Sequence, residues 1–145
     1  MSKVVLVADT GDARLPGILA GHSLTFVRTL DEARSMLAAR NFDLIMIGVH
    51  FDESRMFDLL RHVRAQERHR ATPVVCVLGE RSKLSAVAIE GLDHAVKAML
   101  ANAFLNLNRF PNDAGGNARV RRICDYLILI DGDIHGGFKS VHEPR

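Results

Sequence analysis

The chain has 145 residues, enough for one domain and short of what a two-domain enzyme needs. Hydrophobic residues make up 48% and charged residues 25%, an ordinary globular balance that excludes global disorder. Lys and Arg exceed Asp and Glu by only two charges, too few to drive nucleic-acid binding, and with no Trp and one Tyr base-stacking platforms are scarce.

The opening MSKVVLVADT carries one Lys before a short apolar run that Asp9 ends. That is too short for a signal peptide or a membrane span, so a cytoplasmic location is expected. Within this opening, Lys3–Ala8 (KVVLVA) has the near-continuous β-branched character of a strand buried on both faces. Asp12–Ala20 makes a poor first helix, since Pro16 and Gly17 fall inside it and should shorten or kink it. Leu24–Val27 is a short strand. Thr29 and Glu32 then form a T-x-x-E capping box, and Ala33, Met36 and Leu37 supply the apolar stripe of a second helix.

Asp43–Val49 and Pro73–Leu78 repeat the buried-strand signature. Between them Met56, Leu59, Leu60 and Val63 are spaced as one helix face, which ends in the basic run Arg64–Arg70. A fourth helix is expected from about Ser82 to Asn102, with Ile89, Leu92, Val96 and Met99 on one side. Ala103–Leu107 is a fifth strand and Pro111–Gly116 a loop. The last helix spans about Asn117–Ile130, with Val120, Ile123, Cys124 and Leu127 inward. The division expected is a domain over 1–130 and a loosely held, Gly-rich tail over 131–145.

Five strands alternating with five helices imply a parallel α/β sheet covered on both faces, because parallel neighbours need crossover connections. For this length the economical arrangement is a flavodoxin-like doubly wound sheet of order 2-1-3-4-5. Its functional end is the carboxyl edge of the strands.

At those strand ends the sequence resembles a known family. KVVLVADTGDAR is similar to the opening of response-regulator receiver domains, which typically read K-I-L-I-V-D-D-D. FDLIMIGVHFDE resembles their third strand and the loop after it, and TPVVCVLGE and ANAFLNLNRFP their fourth and fifth strand regions. The resemblance covers roughly Lys3 to Leu129. It implies a phosphoacceptor Asp after strand three, an acidic Mg²⁺-binding pair after strand one, a Thr or Ser after strand four and a Lys after strand five. Carried over position by position, the acceptor falls on Gly48, the acidic pair on Ala8 and Asp9, the hydroxyl on Leu78 and the Lys on or next to Leu107, with Asn108 following. Phosphoryl transfer to the protein needs a carboxylate nucleophile, which Gly48 lacks. A single carboxylate is also a weak Mg²⁺ ligand set. The pocket therefore reads as degenerate, and Leu78 and Leu107 as an apolar plug.

Other candidates have plainer readings. Asp52, Glu53 and Ser54 could supply a displaced acceptor, but are expected to cap and charge-balance the N-terminus of the third helix. Asp9 is expected as a turn or cap residue. His62 and His69, seven apart, sit among arginines, which opposes a metal and favours a solvated face. Asp131, Asp133, His135 and His142 match no known metal spacing. Cys76 and Cys124 lack metal-type spacing and are expected as reduced thiols, Cys76 as a packing residue. Arg119, Arg121 and Arg122 are expected on a solvated face of the last helix.

Two features exceed what one core requires. The fourth helix looks about two turns longer than receivers have, with its surplus around Ser85–His94. The last helix ends in Tyr126-Leu127-Ile128-Leu129-Ile130, apolar all round. Receivers commonly dimerise or meet effectors through their fourth and fifth helices with strand five. The resemblance thus implies a stand-alone pseudo-receiver in two-component-type signalling, acting by protein contact. A homodimer would form through helices four and five at Ile123, Tyr126, Leu127, Ile128 and Ile130. No catalysis, cofactor, metal, membrane or direct nucleic-acid partner is expected. The alternatives are a working regulator that uses Asp52 or Ser54 as acceptor, and a small-ligand-binding flavodoxin-like module.

Overall fold

The computed structural model describes residues 2–9, 13–80 and 83–133. Five strands, β1 (Val4–Ala8), β2 (Ser23–Val27), β3 (Leu44–Gly48), β4 (Val74–Leu78) and β5 (Ala103–Asn106), form one sheet of order β2-β1-β3-β4-β5. Every neighbouring pair is parallel. The helices are α1 (Arg14–Ile18), α2 (Leu30–Ala39), α4 (Met56–Ala65), α5 (Ala86–Ala98) and α6 (Ala114–Asp133), and α3 (Phe51–Ser54) is a single turn whose last three residues are left-handed. The expected doubly wound fold is present, with α3 as an added turn ahead of α4.

The strands are buried on both faces, and alternation divides the core in two. Leu6, Ala8, Ile45, Ile47, Val74, Cys76 and Leu78 pack on one face with α2, α4 and α5. Val5, Val7, Leu44, Met46, Val75 and Val77 pack on the other with α1 and α6. Cys76 and Cys124 are fully buried free thiols, and burial pushes each thiol up to about 12, so neither forms a reactive thiolate near neutral pH.

Local chemistry sets the helix ends. The Thr29 hydroxyl accepts from Glu32 N at 3.1 Å, while the Glu32 carboxylate reaches back to Arg28 N at 2.8 Å. α1 is only five residues long, as Pro16 and Gly17 foretold. α5 has no two-turn surplus. Ser85 caps its start, accepting from Ala88 N, and Leu100 turns left-handed at φ 73° just past its end, so the helix keeps 13 residues. The apolar spacing over 82–102 is continuous, but the cap and the reversal cut the helix short at both ends. α6 starts at Ala114 and runs to Asp133, three residues beyond the expected end. The tail candidates His135 and His142, like Thr10, Gly11, Asp12, Arg81 and Ser82, lie outside the described residues. Among the described residues no helix is long and apolar enough to cross a membrane.

Candidate functional site

The carboxyl edge gathers the ends of β1, β3, β4 and β5. Ala8 is fully buried and turned into the α2–α4 core, and Asp9 follows it, its N–H donating to Val27 O at 3.3 Å. Gly48 ends β3. A β-carbon built on it would collide with Asp9 Oδ1, so the Asp9 carboxylate occupies the space where a side chain at 48 would begin. Leu78 and Leu107 are 1% and 0% exposed and belong to opposite cores. The expected plug is thus really two packing residues, each held by its own layer. Among the described residues no group of three or more His, Cys, Asp or Glu is placed to hold a metal ion.

The turn after β3 is unusual. Asp52, Glu53 and Ser54 all have positive φ, at 46°, 56° and 71°. A left-handed step costs a non-glycine residue about 1–2 kcal/mol. Burial of Phe51, fully enclosed at the head of this turn, contributes roughly 2–3 kcal/mol and offsets part of that strain. Asp52 does not cap its own helix: no side chain caps α3 or α4. Its carboxylate instead accepts from Leu30 N at 2.7 Å, an added cap on α2. The cap expected from Asp52, Glu53 and Ser54 on the helix after β3 is therefore not formed, and Asp52 serves a helix one strand away in the chain instead.

Arg14 escaped sequence reasoning, because a lone Arg in a weak helix carries no local signal. Its side chain is 2% exposed and paired to Glu80 at 2.7 Å. Nη1 also donates to Leu107 O at 3.1 Å, Nη2 to Phe110 O and Pro111 O at 2.6 and 2.7 Å, and Nε to Asn117 Oδ1 at 2.7 Å. Four chain segments after β1, β4 and β5 therefore meet on one guanidinium. At the opposite edge of the sheet Arg64 plays a comparable part, donating to the carbonyls of Leu100, His69, Arg70 and Thr72 and to Asn102 Oδ1.

His69 is not solvated: it is 1% exposed, and its Nε2 lies 2.7 Å from Leu37 O. It sits in a short turn after α4 and is turned inward. Burial, then the charges of Arg34 and His69, hold His62 below its ordinary pKa. Arg121 is likewise not on a solvated face. It bonds Ile18 O at 3.2 Å, Ala20 O at 2.7 Å and Asp125 at 2.9 Å, clasping α6 to the end of α1. Asp125 also meets His22 Nε2 at 3.0 Å. Lys3 N–H donates to His22 Nδ1, so a neutral His22 carries its proton on Nε2 and donates to Asp125.

The far side of α6 carries a groove of about 390 Å³ lined by Phe110, Arg119, Arg122, Ile123, Tyr126 and Leu127. The Arg119 guanidinium stacks 5.2 Å from the Phe110 ring centre. Tyr126 and Leu129 are each 61% exposed, whereas Ile128 is 8% exposed and faces the core. Ile128 therefore leaves the expected contact set, since helical phase places it with Val120 and Cys124. Ile123, Leu127 and Ile130 are half-buried, and Leu129, which the expected contact set left out, takes the exposed position.

No protein-family model matches the chain. It is 32% identical over 117 residues to the response regulator protein PilR of Pseudomonas aeruginosa, an alignment that covers 78% of this chain and 24% of that protein. The chain thus spans about a quarter of the length of that curated relative. NtrX from Brucella abortus, solved in complex with ADP, superposes at a TM-score of 0.73 with 21% identity, over 94% of this chain and 29% of that one. The signal receiver domain of an HD domain-containing protein from Pseudomonas fluorescens superposes at 0.71 with 16% identity, over 94% and 93%.

Proposed function

We propose that this chain, a member of the response regulator receiver-domain family, is a pseudo-receiver that signals by protein contact without taking a phosphoryl group on β3. The observation that carries the reading is the packing of Asp9 against Gly48. An aspartyl phosphate needs a carboxylate at the end of β3 and room around it for three oxygens. Position 48 supplies no carboxylate, and the nearest one, that of Asp9, belongs to the end of β1. Leu78 and Leu107 offer no hydroxyl or ammonium where transferred charge would need a donor. Such a domain is no phosphotransfer catalyst, and its output is the shape of its surface.

The surface we assign to that output is the groove side of α6 with α5, and the partner is a second copy of the chain. The exposed apolar pair Tyr126 and Leu129 would form its centre, flanked by Ile123, Leu127 and Ile130. Arg119 and Arg122 border the groove, and α5 carries Glu90 as an exposed carboxylate of opposite sign. A cytoplasmic location fits this role.

Two measurements test the reading. Incubation with acetyl phosphate and Mg²⁺, followed by intact mass spectrometry, should leave the protein unmodified. A phosphorylated species, with its site mapped to Asp9, Asp52 or Ser54, would overturn it. Sedimentation velocity should show a dimer that Leu129→Glu converts to monomer. A wild-type monomer at high micromolar concentration would remove the dimer from the proposal.

A further inference from the structure

We infer that Arg14 is an internal lock that ties Glu80, just past β4, to the β5–α6 connection in a single arrangement, so that the α5–β5–α6 face is presented without any signal to set it. The last clause rests on the function proposed above. The lock itself rests on the hydrogen bonds.

A guanidinium has five N–H groups in a rigid fork, and Arg14 places all five. One reaches Glu80 after β4. One reaches Leu107 O and two more Phe110 O and Pro111 O, all after β5, and Nε reaches Asn117 on α6. These partners lie 66 to 103 residues away in the chain, so no local turn preference brings them together. The cation is almost wholly buried, and the Glu80 carboxylate, 40% exposed, balances it from the solvent side. Removing the guanidinium would leave three carbonyls pointing at one void, a costly arrangement that the folded loops cannot keep.

Two further contacts lie beside the guanidinium, one from Asn108 to Gly79 and one between Gly116 and Pro111. Asn108 Nδ2 spans from the β5 side to Gly79 O at 3.5 Å. A β-carbon on Gly116 would run into the Pro111 backbone, so the first turn of α6 sits hard against the carbonyl that Arg14 holds. Two loops that would have to separate for the α5–α6 face to change are tied to α1 by one side chain. The lock is a positioning device and touches no substrate.

Amide hydrogen exchange on the full chain tests this, with Arg14→Lys and Glu80→Gln compared with the wild type. Lys keeps the charge but cannot reproduce the fork, and Glu80→Gln removes the charge balance while leaving the four other bonds. In Arg14→Lys, exchange over 105–113 and 77–80 should rise about tenfold or more, with β1 to β3 little changed. Glu80→Gln should give a smaller rise in the same two segments, and it carries the test alone if Arg14→Lys does not fold. Unchanged exchange in both segments would overturn the lock. So would a rise spread evenly over all strands, which marks Arg14 as a residue of global stability only. The functional reading fails on a separate result, a phosphorylated wild-type mass, so the two can fall independently.

Discussion

The carboxylate of Asp9 lies where the side chain of residue 48 would start, and Gly48 is the residue that leaves it room. The end of β1 and the end of β3 thus share one space between them. Two predictions come from this pair. Gly48→Ala should change stability by less than about 1 kcal/mol, since Asp9 must turn away to admit the methyl group while the strand loses a glycine. In an Asp9→Ala background the same change should be more favourable. A double-mutant cycle by urea denaturation should return a coupling of about 0.5 kcal/mol or more.

The left-handed turn after β3 separates two roles that neighbouring residues play. Asp52→Ala loses the bond to Leu30 N and should lower stability by about 1 kcal/mol. Glu53→Gly, at φ 56° on an exposed position, should raise it by roughly 0.5–1 kcal/mol, because glycine adopts this region without steric cost. Thermal melts of both variants check the signs, and matching signs would contradict the account.

Helix glycines should respond in opposite ways. Gly91 on α5 faces open space, so Gly91→Ala should stabilise by about 0.5–1 kcal/mol through helix propensity. Gly116→Ala gains the same propensity but meets the Pro111 backbone, and should cost about 2 kcal/mol. Chemical denaturation distinguishes them. A stabilising Gly116→Ala would mean that α6 does not press on Pro111.

Acid should weaken the fold in two separate stages. Burial and the charges of Arg34 and His69 hold His62 below its ordinary 6.5 in the folded protein. The unfolded chain then binds the proton first, so stability declines as pH falls below 6.5 until the folded pKa is passed. Burial pushes the Asp125 carboxyl up, but hydrogen bonds from His22 and Arg121, with their charges, outweigh it and hold the group below its ordinary 3.8. Its contribution is complete above 3.8 and is lost as pH falls through the lower folded value. Asp125→Asn should flatten the second stage and leave the first, as read by urea midpoints between pH 7 and 3.

The five strands, their order in a parallel sheet and the glycine at the end of β3 were legible in the sequence, whereas the added turn α3 was not. Each depends on local pattern, on β-branched runs such as Val4–Ala8 and on a residue type read at a strand end. The capping box at Thr29 was legible for the same reason. Helix ends were less so, because the apolar spacing from Ile89 to Met99 says nothing of the Ser85 cap or the reversal at Leu100. Only the tertiary structure decided that Asp9 fills the space at Gly48, that Asp52 caps α2, that His69 and Ile128 face inward, and that Arg14 joins Glu80 to Leu107. These are contacts between segments distant in the chain, and which polar groups meet is set by how layers pack. Periodicity records which face of an element is buried, and the identity of the neighbour across that face emerges only when the layers close.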